Sequence, residues 1–165
     1  MKKKVKQFIF LLLMPIACFL LIGVFSISSL TESALAERNG GAFIVGNRSI
    51  FNMESGSISG LTATNGGGVY VASGGTFNLS GGSIYNNSAT ANGNNIYNAG
   101  TFAIKGGSVG EQNSSSTGYG IYNTGTMNLY GGNVYDNVYS SANINTKMTA
   151  TLHKEISITD SAKRN

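Results

Sequence analysis

Acidic side chains have the clearest potential for chemistry in this chain, and they are few. Glu54, Glu111 and Asp136 are the acids of its central part, and His153 is the one histidine. Enzymatic hydrolysis of a glycosidic bond needs two carboxyl groups that flank it. The repeat pattern described below predicts that Glu54 and Glu111 occupy unrelated positions, and that Asp136 has no carboxylate at the same position of the neighbouring coil. We therefore expect solvated loop acids and no catalytic residues.

The single histidine adds no second kind of catalytic site. His153 could be combined with Asp160 in a Ser/His/Asp arrangement, but nothing in the sequence places a serine in a strained elbow beside them. We interpret His153 as an exposed residue near the C-terminus. No metal and no other cofactor is predicted.

Tyrosines recur at fixed positions and are the best candidates for contact with a ligand. Tyr70, Tyr97 and Tyr122 each follow an apolar residue that is expected to point inward. Because side chains alternate along a strand, these tyrosines would point outward, as a column that we call the tyrosine column. Exposed tyrosines are favoured at binding interfaces, where glycans or host proteins could contact them. Two alternatives stay open: the column only stabilises its sheet, or the faces are reversed and the rings are buried.

Two further sets of side chains accompany the tyrosine column. Tyr85 and Tyr135 form a partial second column, interrupted at Gly110, and are also candidate ligand contacts. Asn98 and Asn123 directly follow two of the tyrosines. If they point inward, they would form a ladder of hydrogen-bonded amides between coils, as stacked asparagines do in cross-β structures.

The elements that must position these residues come from an internal repeat. The phrase GTFNLSGGSI at Gly75–Ile84 returns as GTFAIKGGSV at Gly100–Val109 and as GTMNLYGGNV at Gly125–Val134. Apolar residues alternate with polar ones inside the phrase, as Phe77 and Leu79 do around a polar residue, and period-two alternation predicts a strand with one buried face. Repeats of this length are typical of solenoid proteins.

Each repeat predicts three short strands separated by Gly, Asn, Ser and Thr turns, with no room for a helix. One repeat has too little apolar surface to fold alone, so the repeats must stack. Stacking in register gives an all-β fold, a parallel β-helix of about four to five coils that rise about 4.8 Å each. Phe77, Phe102 and Met127 would fill one slice of its core, and glycine pairs such as Gly81-Gly82 would turn its corners.

The domain organisation follows from this repeat. We assign the β-helix repeats to residues 37–142, and a degenerate last coil with a C-terminal cap or tail to residues 143–165. The two ends of a β-helix expose sheet edges that invite pairing, so end-to-end self-association is expected where an end is poorly capped.

The repeats resemble those of a known group of proteins. GGGVY at Gly66–Tyr70, followed by GGTFNLSGGSIYNN at Gly74–Asn87, is similar to the GGAIYN…GTLTISGGTISGN repeats of bacterial adhesin-like surface proteins. More loosely, it resembles the passenger repeats of polymorphic outer-membrane autotransporters. The resemblance covers about residues 40–138 and implies a single-stranded, right-handed parallel β-helix. It implies little about function, because unrelated activities share this architecture.

The N-terminal residues 1–36 have the parts of a secretory signal peptide: a basic start, an apolar run and the small residues Ala34 and Ala36. We predict cleavage after Ala36. The apolar run at residues 8–30 would form a hydrophobic helix that could span a bilayer core of roughly 30 Å, so a retained plasma-membrane anchor is the alternative. In both cases the remainder is expected to be extracellular or at the cell surface, with membrane contact only through the N-terminal segment.

Charge argues against nucleic-acid binding. The formal net charge is +4, but four of the eleven basic residues lie within the first six positions. From residue 37 onward there are seven basic and six acidic residues, so the net charge of this part is +1, and its basic residues form no cluster. Phosphate recognition needs clustered Lys and Arg, so no nucleic-acid partner is expected.

These patterns favour a structural or adhesive protein with no catalytic role, which presents its loops and the tyrosine column to glycans or host proteins. The first alternative is a polysaccharide lyase or hydrolase, or an inactive relative, because such enzymes are the best-known ones on this fold. The second alternative is the remnant of a longer adhesin, since the adhesin-like proteins commonly carry many coils and a wall anchor or membrane β-domain, for which the sequence shows no motif.

Overall fold

The computed structural model describes residues 39–158, apart from residues 114, 116, 148 and 155. The predicted signal segment, with its hydrophobic helix and the cleavage position after Ala36, lies outside the described residues. Within them the chain forms only short strands and turns, and no helix. The all-β prediction is therefore confirmed for this part of the chain.

The strands are two to five residues long. In chain order they are β1 Phe43–Val45, β2 Ile50–Met53, β3 Ser57–Ser59, β4 Thr62–Asn65, β5 Val69–Val71, β6 Thr76–Leu79, β7 Ser83–Tyr85, β8 Ser88–Asn92, β9 Ile96–Asn98, β10 Thr101–Ile104, β11 Ser108–Val109, β12 Tyr119–Asn123, β13 Thr126–Leu129, β14 Asn133–Val134, β15 Asn137–Ser140, β16 Ile144–Thr146, β17 Thr151–Leu152 and β18 Ile156–Ile158.

Three stacked sheets form the walls of the molecule, and every pairing within them is parallel. The first sheet has the order β1-β5-β9-β12-β15-β18, the second β2-β6-β10-β13-β16, and the third β3-β7-β11-β14-β17. The chain visits the three sheets in turn and returns to the first one strand further along. This path is a parallel β-solenoid of about four turns, as the repeat predicts.

The prediction of three strands per repeat is wrong for the first two repeats. Strands β4 and β8 lie in the segments expected to be polar loops and pair with each other in parallel. Ala63 is buried there, but the β8 residues are half-buried or exposed. Alanine is the only apolar residue type in these two strands, and because alanine is a weak strand former, there was little sign of them in the sequence.

Identical apolar positions lie above one another in the core, as predicted. Phe77, Phe102 and Met127 are register partners in neighbouring strands, and all three are fully buried. The rings of Phe77 and Phe102 are stacked with their centroids 5.1 Å apart, and Phe51 continues the stack at 5.2 Å from Phe77. Each coil therefore buries its aromatic or aliphatic side chains against the equivalent residues of the next coil.

The glycine pairs form a repeated corner between the second and third sheets. The second glycine of each pair has a positive φ, with values of 82° at Gly82, 74° at Gly107 and 73° at Gly132. A Cβ atom on Gly107 would lie 2.5 Å from the carbonyl oxygen of Gly82. Both the left-handed backbone and the close approach of neighbouring coils require glycine, as predicted.

A ladder of buried amides occupies another corner of the coil. Asn98 and Asn123 are fully buried, and the Asn98 Nδ2 donates to Asn123 Oδ1 at 2.6 Å. Asn123 Nδ2 in turn donates to Ser140 Oγ at 2.8 Å and to the Gly125 carbonyl at 2.9 Å. The predicted amide ladder is confirmed, and the buried polar groups are paired from coil to coil.

Candidate binding surfaces

The tyrosine column lies on the outer face of the first sheet. Tyr70, Tyr97 and Tyr122 are register partners and are half-buried, whereas the residues before them are fully buried. Their rings are stacked, with centroids 5.1 Å and 5.6 Å apart. The outward direction expected from alternation is thus confirmed, and the alternative with reversed faces is wrong.

Tyr139 extends the tyrosine column by one residue. It is the register partner of Tyr122, and the two rings are stacked with centroids 4.3 Å apart. Tyr139 was not predicted as part of the column, because it lies only 17 residues after Tyr122, whereas the other tyrosines of the column are further apart in the sequence. A signal was present, since Val138-Tyr139-Ser140 repeats the apolar-Tyr-polar pattern of Ile121-Tyr122-Asn123.

The environment of the tyrosine column favours the protonated hydroxyl groups. Partial burial raises the pKa of Tyr70 above its usual value, and the neighbouring Tyr97 raises it further. Burial also raises the pKa of Tyr122, with further contributions from its hydrogen bond to Tyr139 and from the neighbouring tyrosines. These phenols therefore stay neutral at physiological pH and remain hydrogen-bond donors.

Stacking determines which part of the tyrosine column a ligand can reach. Neighbouring rings cover one another's faces, since the planes of Tyr70 and Tyr97 differ by only 7° and those of Tyr97 and Tyr122 by 10°. The surface of the column therefore consists of ring edges and hydroxyl groups. It can donate and accept hydrogen bonds and make apolar edge contacts, but the inner rings offer no open face.

A second row of rings runs along the outer face of the third sheet. The register of the third sheet places Tyr85, Gly110 and Tyr135 at the same position of successive coils. His153 follows in the next coil, is exposed as expected, and stacks on Tyr135 with ring centroids 4.3 Å apart. The interruption of this row at Gly110 is thus confirmed.

The structure corrects the interpretation of two acidic residues. Because Val109 pairs with Val134, Glu111 stands at the same position of its coil as Asp136 does one coil later. The expectation that Asp136 has no carboxylate at the same position of the neighbouring coil is therefore wrong. Asp136 is also no solvated loop acid, since only 4% of its surface is exposed, whereas Glu111 is exposed. The two neighbouring carboxyl groups therefore face different environments, and Glu54 is exposed elsewhere.

Asp136 ends a buried chain of polar side chains. Its Oδ2 accepts a hydrogen bond of 2.6 Å from Asn95 Nδ2. Asn95 Oδ1 accepts one of 2.8 Å from Asn87 Nδ2, and Asn87 also bonds the backbone of Leu61 and Ile58. This chain of side chains connects residues of four successive coils along the axis.

Two glycines create the space that encloses the Asp136 carboxyl group. A Cβ atom on Gly110 would lie 2.6 Å from Asp136 Cγ, and one on Gly120 would overlap its Oδ2. Burial raises the pKa of Asp136, although its hydrogen bond from Asn95 and the positive charge of Lys154 act in the opposite direction. The negative charge of Glu111 adds to the rise. The glycines at positions 110 and 120 were the only sequence signal of this enclosure.

The described residues contain no group of three or more His, Cys, Asp and Glu side chains placed to hold a metal ion. The two carboxyl groups of Glu111 and Asp136 do not open into one space, because Asp136 is enclosed. The arrangement therefore lacks the pair of accessible carboxyl groups that glycoside hydrolysis needs. What this surface can do is make stacking contacts and hydrogen bonds.

Among residues 39–158, where they are described, no helix is long and apolar enough to cross a membrane. Comparison with known proteins identifies no matching family model, no matching curated protein and no matching solved structure.

Proposed function

We propose that this chain is an exported β-helix repeat protein with a structural or adhesive, non-catalytic role at the cell surface. The observation that carries the proposal is the tyrosine column, with Tyr70, Tyr97, Tyr122 and Tyr139 stacked in order on one outer face. In this proposal the column contacts host proteins or glycans through its ring edges and hydroxyl groups.

The physical support comes from preorganisation. A ring that is already stacked on both sides loses little conformational freedom when a partner binds, so more of the contact energy is kept as affinity. Tyrosine combines a large apolar edge with a hydroxyl group, and for this reason it is enriched at interfaces. The pairing of neighbouring strands in the first sheet sets the spacing of the four rings, which would make the column a rigid row of hydroxyl groups.

The remaining parts of the proposal rest on the sequence. Right-handed winding is implied by the resemblance to adhesin-like repeats, and connections between parallel strands are almost always right-handed. Export rests on the basic and apolar segments of residues 1–36. Mass spectrometry of the secreted chain would test this part: a new N-terminus at Glu37 supports cleavage after Ala36, and an intact apolar run supports the anchor at residues 8–30.

The binding proposal can be tested with the exported chain on an array of glycans and matrix proteins. The parent chain is compared with the triple variant Tyr70→Phe, Tyr97→Phe and Tyr122→Phe, which keeps the stacked rings and removes the hydroxyl groups. Tyr130→Phe, at an exposed tyrosine outside the column, is the matched control. Specific binding that is weakened only in the triple variant supports the proposal. Absence of binding by the folded parent, or binding that the triple variant retains in full, contradicts it.

A further inference from the structure

The interrupted row on the third sheet leaves an open space between two aromatic rings. Tyr85 and Tyr135 stand two coils apart, and Gly110 lies between them without a side chain. Two strand spacings correspond to about 9.6 Å. In the tyrosine column, consecutive stacked rings are 5.1 Å and 5.6 Å apart. The space over Gly110 therefore has the height of one further ring, and both flanking tyrosines line it.

Position 110 itself cannot carry a side chain that fills this space. Gly110 has a φ of 85°, a conformation that strongly favours glycine. A Cβ atom at this position would also collide with the enclosed Asp136 carboxyl group. Burial of Asp136 and the open space over Gly110 are thus two results of the same local geometry.

Polar side chains surround the open space. It is part of a surface groove of about 400 Å³, which is lined by Tyr85, Tyr135, Gly110 and the polar residues Ser83, Ser108, Glu111 and Gln112. The two serine hydroxyl groups are hydrogen-bonded to each other at 2.9 Å. Glu111 and Gln112 are exposed at its edge. The groove thus combines two aromatic faces with hydroxyl, carboxylate and amide groups.

We propose that this groove is a glycan-binding site that takes one pyranose ring of a neutral oligosaccharide between Tyr85 and Tyr135. The apolar C–H faces of a pyranose pack against aromatic faces, and its ring hydroxyl groups hydrogen-bond with Ser83, Ser108, Gln112 and the Glu111 carboxylate. An acidic sugar is disfavoured, because its carboxylate would lie beside Glu111 without a described cation lining the groove. This site is separate from the tyrosine column and does not depend on the proposal made for it.

The test is calorimetric titration of the exported chain with cellohexaose, chitohexaose and, as an acidic probe, hexagalacturonate. We expect one of the neutral hexamers to bind and the acidic one to bind more weakly. Tyr85→Ala should weaken binding about tenfold, because it removes one stacking partner. Tyr85 is replaced rather than Tyr135, because Tyr135 also stacks on His153 and its loss would disturb a contact outside the groove.

Two further variants make the outcome decisive. Gln112→Trp places a ring at the groove edge and should block binding, and Glu111→Gln should reduce the discrimination against hexagalacturonate. Tyr130→Phe, at an exposed tyrosine outside both rows of rings, is the control and should leave the affinity unchanged. The proposal is overturned if the folded chain binds neither neutral hexamer, or if Tyr85→Ala and Gln112→Trp both bind as the parent does. The proposal would also be overturned if the chain binds no glycan but binds a protein of the matrix array, and Tyr85→Ala abolishes that binding. A protein side chain would then be the occupant of the groove.

Discussion

The Asp136 carboxyl group accepts a 2.6 Å hydrogen bond from the Asn95 side-chain amide inside the turn region of the coil. One hydrogen bond from a neutral amide does not offset the loss of water around a carboxylate, so burial raises the pKa of Asp136. The pair thus links a structural feature, the polar chain along the axis, to a measurable dependence on pH.

Asp136→Asn should change how stability depends on pH. Because the folded protein raises the pKa of Asp136 above 3.8, the stability contributed by the protonated carboxyl group is complete below that value and is lost as pH rises through the raised pKa. Asparagine keeps an acceptor oxygen for Asn95 and cannot ionise. We expect the variant to gain stability relative to the parent between about pH 4 and pH 7, as measured by urea unfolding.

The exposed Glu54 provides the matched control for that experiment. Glu54→Gln removes a carboxylate from the surface and should change the stability by less than about 0.5 kcal/mol. If the difference between Asp136→Asn and the parent does not change with pH, the pKa of Asp136 is the same in the folded and unfolded states, and the argument fails.

Asn123→Ala should destabilise the fold by about 1–3 kcal/mol, because it leaves buried partners in the amide ladder without their hydrogen bonds. Asn98 Nδ2 and Ser140 Oγ lose a partner in this variant. Asn52→Ala removes an amide from an exposed pair with Asn78 and should stay within about 0.5 kcal/mol of the parent. Guanidinium unfolding measures both, and equal effects of the two variants would show that the buried ladder has no special role.

Phe102→Ala should cost about 3–5 kcal/mol, since it removes a buried ring from between Phe77 and Met127 and leaves a cavity. Phe102 is fully buried, whereas Phe43 at the edge of the first sheet is 38% exposed. Phe43→Ala is therefore the control with the same chemical change and a clearly smaller loss. Thermal or denaturant unfolding of the two variants makes the comparison, and a cost at Phe43 that matches the cost at Phe102 would contradict the described burial.

Two glycines with similar backbone conformations allow the cost of a left-handed conformation to be measured apart from the cost of a steric clash. Gly107 and Gly60 have φ values of 74° and 72°, but only at Gly107 would a Cβ atom meet backbone of the neighbouring coil. Gly60→Ala should cost about 1–2 kcal/mol for the left-handed conformation alone. Gly107→Ala should cost more and reduce the yield of folded protein, which circular dichroism and unfolding midpoints would detect. Equal losses would mean that the coils can move apart at this corner.

Much of the fold was predictable because its repeat is carried by apolar residues and glycines. Phe77, Phe102 and Met127 recur at one interval, and the same interval places them in one layer of the core. The position of Tyr139 was not predictable from that interval, since the chain takes a shorter path to its strand. Strands β4 and β8 were missed because alanine is the only apolar residue type in them, and alanine is a weak strand former.

The candidate surfaces were predictable in position and less so in chemistry. Alternation placed the tyrosines on the outer face, but only the ring planes show that the column presents edges and hydroxyl groups. The enclosure of Asp136 was missed because charged residues are seldom buried, and because the space for this side chain comes from glycines in other coils. The shared position of Glu111 and Asp136 was predictable, because each lies two residues after the repeated phrase, but it was missed.

The ladder hydrogen bonds of the three main sheets run from coil to coil, so they all point along the length of the molecule. A force that draws the chain ends apart would therefore open the bonds of an end coil before those of the coil beneath it. Each released coil of about 25 residues would add roughly 80–90 Å of extended chain. Under tension the protein would lengthen in steps and absorb mechanical work at each one, a useful property for a tether that must hold during intermittent pulling.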